Sequence, residues 1–75
     1  MKVIIQSTRT LEVLNANHSW EQNATEALCF KTSMRALDFC IRHKLRDVQI
    51  LLRFDSGAPD VILPVEEDWR RLDRA

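Results

Sequence analysis

The chain has 75 residues, 45% of them hydrophobic, with 11 basic against 11 acidic side chains and so a formal net charge of zero. That is enough chain for one domain and too apolar for a disordered one, and a domain of this size buries only about 60% of its unfolded surface. The neutral balance argues against a dedicated nucleic-acid binder, which is usually basic overall, and removes the self-repulsion that would oppose association.

Two cysteines, Cys29 and Cys40, are fewer than the four or more of a disulfide-built secreted domain. The apolar run at residues 3–5 is too short for a signal peptide, and no stretch is long enough to span a bilayer. A cytoplasmic protein with reduced thiols and no membrane partner is expected. Asn17-His18-Ser19 and Asn23-Ala24-Thr25 match the glycosylation triplet, but without a secretion signal they read as chance.

Residues 2–6 are apolar and β-rich, and residues 10–14 form a second β-like run with Leu11 and Val13 on one face. A hairpin is expected between them, although residues 7–9 lack the Asn-Gly type of turn signal. Residues 15–23 are polar and read as a loop in which Trp20 is the single large apolar side chain. Residues 24–45 admit two readings. One is a short strand near 27–30 followed by a helix over 33–45, with Thr32 or Ser33 as N-cap. The other is one long helix capped by Asn23, with Glu26 completing a box-like start and Phe30, Met34, Leu37, Ile41 and Leu45 on a single stripe. Thr32 and Ser33 are poor inside a helix and good at its start, which favours strand then helix.

Residues 47–54 alternate, with Val48, Ile50, Leu52 and Phe54 facing one way, and Leu51 on the other face suggests a central strand. Residues 55–60 are turn chemistry, and 61–65 form a last strand in which Pro64 favours an edge position. Residues 66–75 read as a short helix, acidic first (Glu66, Glu67, Asp68) and basic last (Arg70, Arg71, Arg74), as the helix dipole prefers. So short a helix needs Trp69 and Leu72 to dock. The predicted fold is α+β: a mostly antiparallel sheet of about five short strands, in the order β-β-β-α-β-β, packed by one helix. Residues 1–65 would form the domain and 66–75 a helical tail.

The succession of a hairpin, Trp20 in a polar loop, Ala27-Leu28-Cys29-Phe30, Ala36-Leu37-Asp38-Phe39-Cys40, Asp47-Val48-Gln49-Ile50 and Val61-Ile62-Leu63-Pro64 resembles small bacterial α+β proteins that have no assigned function. The resemblance covers most of residues 2–65. It supports the strand-then-helix order and implies no activity.

On the predicted helix, Met34, Leu37, Ile41 and Leu45 make a core stripe. Arg35, Phe39, Arg42 and Arg46 make a second stripe opposite, with His43 beside it. Guanidinium groups recognise carboxylates or phosphates, and Phe39 would be the apolar anchor among them. In the competing reading Phe39 is covered by the tail through Trp69 and the arginines are simply solvated. In both, Phe39 requires cover. Cys40 and His43 lie one turn apart, with His18 and Cys29 the other Cys or His candidates, but the close ligand pairs of structural zinc are missing, so no metal or cofactor is expected. Cys40, His43 and Asp47, or Asp38 near His43, suggest no activated nucleophile, and Gly57 alone cannot build a phosphate loop. The sequence therefore points to a non-enzymatic protein-interaction module able to self-associate, with Phe39, Trp69 and Leu72 as apolar contacts and Arg35, Arg42 and Arg46 around them. The alternative is a weak, sequence-nonspecific nucleic-acid binder that uses the arginine stripe.

Overall fold

The computed structural model describes residues 1–65. The tail helix expected over 66–75, with Trp69 and Leu72, lies outside these residues. In chain order the elements are β1 (Lys2–Ser7), β2 (Val13–Leu14), β3 (Trp20–Glu21), a 3-10 turn (Ala24–Glu26), α1 (Ser33–Arg42), β4 (Val48–Arg53) and β5 (Val61–Pro64). The strands form one antiparallel sheet in the order β3-β2-β1-β4-β5, so the class is α+β as the sequence predicts.

The centre of the sheet is the β1–β4 pair, registered from Lys2↔Arg53 to Ser7↔Val48. Alternation sends Val3 and Ile5 of β1, with Val48 and Ile50 of β4, toward α1, where they pack with Leu14, Ala36 and Cys40. Ile4 and Leu51 face each other across the same ladder on the reverse face, beside Val13 and Ala27. Both faces of the central strands are thus buried, which is why these strands read as nearly continuous apolar runs. Ile4 and Ile5 are fully buried, each contributing about 1.5–3 kcal/mol relative to exposure. Pro64 sits on edge strand β5, where its missing N–H is tolerated.

Two parts of the sheet differ from the sequence reading. The second strand is confined to Val13–Leu14, and the third is Trp20–Glu21, inside the segment read as loop. The polar residues there build a tight turn: Asn15 Oδ1 accepts from the Asn17 and Ser19 N–H groups at 3.0 and 2.9 Å, and His18 adopts φ +62°. Residues 27–30 make two isolated bridges, Asn15↔Ala27 and Val3↔Phe30. The Leu28 N–H donates to Leu14 O and the Phe30 N–H to Val3 O, each at 2.8 Å. This segment fills the gap where β1 and β2 diverge beyond their Gln6↔Val13 pair. The expected extended-then-helical order holds, in this reduced form.

Thr32 caps α1, its side-chain oxygen accepting from the Arg35 N–H at 3.1 Å. The helix ends at Arg42 and not at Leu45. The Lys44 N–H donates to Ile41 O (3.2 Å) and the Leu45 N–H to Cys40 O (3.0 Å), the Schellman arrangement, with Lys44 at φ +51°. The core stripe is also corrected. Met34 is 70% exposed, whereas Ala36 and Cys40 are 0% exposed and Leu37 half-buried. The buried face is turned by about one residue position, roughly 100°. Small side chains at 36 and 40 let the helix lie close to the sheet, and a stripe of large residues at the centre of the contact would hold it away. Among the described residues no helix is long and apolar enough to cross a membrane.

Candidate functional site

Phe39 projects from the flank of α1 between the core and solvent, and is half-buried. Its ring stacks on His43 with centroids 4.1 Å apart and planes 27° from parallel. Phe30 meets it edge-on at 5.3 Å, and so does His18 at 5.1 Å. The cover that Phe39 requires thus comes from three rings: His43 at the helix end, His18 in the turn after β2, and Phe30 in the bridging segment. The alternative cover, Trp69, is outside the described residues.

Beside this cluster opens a shallow pocket of about 290 Å³ lined by Phe30, Arg35, Asp38, Phe39, Arg42 and His43. Arg42 Nε is 2.9 Å from an Asp38 carboxylate oxygen one helical turn back, and both side chains are exposed. Such a pair contributes about 0.3–0.5 kcal/mol and exchanges easily for another carboxylate. Among the described residues Arg35 has no acidic partner. The pocket therefore offers an aromatic floor, one guanidinium open to an anion and a second loosely held.

Arg46 does not join this group. The Schellman turn ends the helix before it, and Arg46 lines a second pocket of about 310 Å³ with Ser7, Arg9, Thr10, Glu12, Trp20 and Asp47. Trp20, on an edge strand and 40% exposed, walls this second pocket. The predicted arginine stripe is thus divided between two surfaces.

Cys40 lies in the core, and burial pushes its thiol up to about 11, partly offset by a backbone hydrogen bond. His43 is stacked on Phe39, and Asp47 lines the other pocket, so Cys40, His43 and Asp47 do not share a site. Cys29 is exposed. Among the described residues no three His, Cys, Asp or Glu side chains converge on a point where they would hold a metal ion. His18 and Phe30 were not singled out by sequence reasoning as parts of the Phe39 site. The available signal was local: Asn15 four residues before Ser19 marks an Asx-type turn, and a tight turn there swings His18 back toward the helix.

Compared with known proteins, the chain matches no family, no curated protein and no solved structure.

Proposed function

We propose that this protein is a non-enzymatic interaction module that takes an acidic protein segment in the pocket of Phe30, Phe39 and His43, with Arg35 and Arg42 binding its carboxylates. The observation that carries this reading is the half-buried Phe39, clasped by aromatic rings on one side and open to two guanidinium groups on the other. An aromatic anchor beside arginines is the composition of interface hot spots. Charge is also segregated. Residues 31–46 hold Lys31, Arg35, Arg42, Lys44 and Arg46 against Asp38 alone, although the chain is neutral overall. The buried Cys40 thiol, pushed up to about 11, is not poised as a nucleophile, because a cysteine nucleophile works as its thiolate. The two free thiols support a reducing, cytoplasmic setting. The chain's own Glu66-Glu67-Asp68 run has the chemistry this pocket takes, so a second copy is one partner that fits.

The test is an amide NMR titration of isotope-labelled protein with a short glutamate-rich peptide carrying one leucine, at low and moderate salt. Shifts at Arg35, Phe39, Arg42 and His43 that vanish in an Arg35→Glu, Arg42→Glu variant are expected. Shifts that survive the double charge reversal, or none at all, overturn the reading. The same basic helix flank favours a second reading, contact with nucleic-acid phosphates. Shifts with a generic oligonucleotide around Arg35, Arg42 and Arg46, fading as salt rises and without a peptide response, would put that reading first. Sedimentation velocity over a range of concentrations decides whether the partner includes a second copy.

A further inference from the structure

The chain contains two histidines, and the fold brings them together from separate elements: His18 in the turn after β2 and His43 at the end of α1. We propose that His18 and His43 form a site for a late first-row divalent ion of the Zn²⁺, Ni²⁺ or Cu²⁺ kind, bridging the β2–β3 turn to the helix. Their ring centroids are 5.5 Å apart, with planes at 74°. Two imidazoles bound to one ion through nitrogens at roughly 2.0–2.1 Å place their ring centres about 4.5–5.5 Å apart for ligand angles from square to trigonal. The observed spacing lies at the upper end of that range.

The pair is held ready by its surroundings. The His18 N–H donates to Asn15 O at 2.9 Å, and the Asn15 side chain clasps the turn on either side of it. Histidine is among the few residues that tolerate the left-handed conformation His18 adopts. The His43 N–H donates to Phe39 O at 3.0 Å, and its ring is stacked on Phe39, which His18 also touches edge-on. Both histidines are exposed, so an ion in solvent reaches them.

The local charge selects the ion. Arg35, Arg42 and Lys44 oppose a cation, and Asp38 offsets Arg42 only. An ion held by charge alone, such as Ca²⁺ or Mg²⁺, has no reason to settle here. One whose bond to imidazole nitrogen is strong does. Water fills its other positions. The site stands independently of the acidic-segment reading and can fail without it.

The experiment titrates untagged protein with zinc chloride, following the imidazole nitrogens by NMR and the heat by calorimetry. It is run in a Cys29→Ser background, because the exposed Cys29 thiol would compete for zinc. One equivalent of zinc is expected to shift both histidine rings together. Magnesium chloride is expected to shift neither. His18→Asn, which keeps the tolerance for left-handed backbone, and His43→Gln are each expected to weaken zinc binding by at least about tenfold, a ligand counting for at least as much as an outer-shell partner. The double variant should bind zinc more weakly than either single one. Zinc affinity unchanged in either single variant, a response from one ring only, or no response below about 1 mM zinc overturns the proposal. Unchanged amide spectra of the metal-free variants establish that the fold is intact.

Discussion

Lys44 occupies a position that ordinarily belongs to glycine. It follows His43, the C-cap of α1, and adopts φ +51° inside the pair of hydrogen bonds that close the helix. Left-handed backbone costs an L-residue about 1–2 kcal/mol. A glycine there is free of that cost but gives up about 0.4–1 kcal/mol more chain entropy on folding. The lysine charge near the helix C-terminus returns about 0.3–1 kcal/mol, so the useful comparison is between two uncharged variants. Lys44→Gly should be more stable than Lys44→Ala by about 0.5–1 kcal/mol, or about 2–8 °C in Tm for a domain of this size. In a helix interior the order is the reverse, with glycine about 1 kcal/mol worse than alanine. Thermal and urea unfolding of the two variants, read by far-UV circular dichroism, therefore tests a sign. If alanine proves the more stable, Lys44 is not at a left-handed cap, and both the end of α1 at Arg42 and the exclusion of Arg46 from the Phe39 pocket lose their basis.

Further outcomes follow from the packing. Ala36→Leu forces a large side chain into a fully buried helix–sheet contact and should cost about 1–3 kcal/mol. Met34→Lys should stay within about 0.5 kcal/mol, and the two urea midpoints together report which helix face is inside. Thr32→Ala removes the cap of α1 and should cost about 1 kcal/mol by the same measurement. An aromatic disulfide reagent at pH 8 should modify one thiol per native chain, Cys29, and two in denaturant. Because burial raises the Cys40 pKa from 9.0 to about 11, the unfolded chain loses that proton first. Stability from this group is complete below about pH 9 and declines as the pH rises toward about 11. A Cys40→Ala variant with the same alkaline decline would refute that attribution.

The Phe39 site shows where one-dimensional reasoning stops. Wheel geometry puts Arg35, Phe39 and Arg42 on one flank of a helix, and these three do line one pocket. It extends the same flank to Arg46 because the apolar spacing continues to Leu45. Leu45 is indeed half-buried and packs on the core, but it does so after the chain has turned at Lys44. A hydrophobic contact following the cap of a Schellman turn reads in sequence as one more helical turn.

Strong periodicity and side-chain chemistry were legible in the sequence alone: the alternation that makes 48–53 a strand, the turn at 55–60, the edge placement of Pro64, a helix cap at Thr32 or Ser33 and the α+β class. Each depends on a residue and its near neighbours, so each survives without knowledge of the fold. Which helix face is buried, which polar segment hides the third strand, and which rings meet Phe39 were decided only in three dimensions. The helix turns its small residues inward because the sheet lies close beneath it. His18 reaches His43 because a turn held by Asn15 folds back across the helix end. Both outcomes arise from the distance between elements, a quantity that no single segment contains.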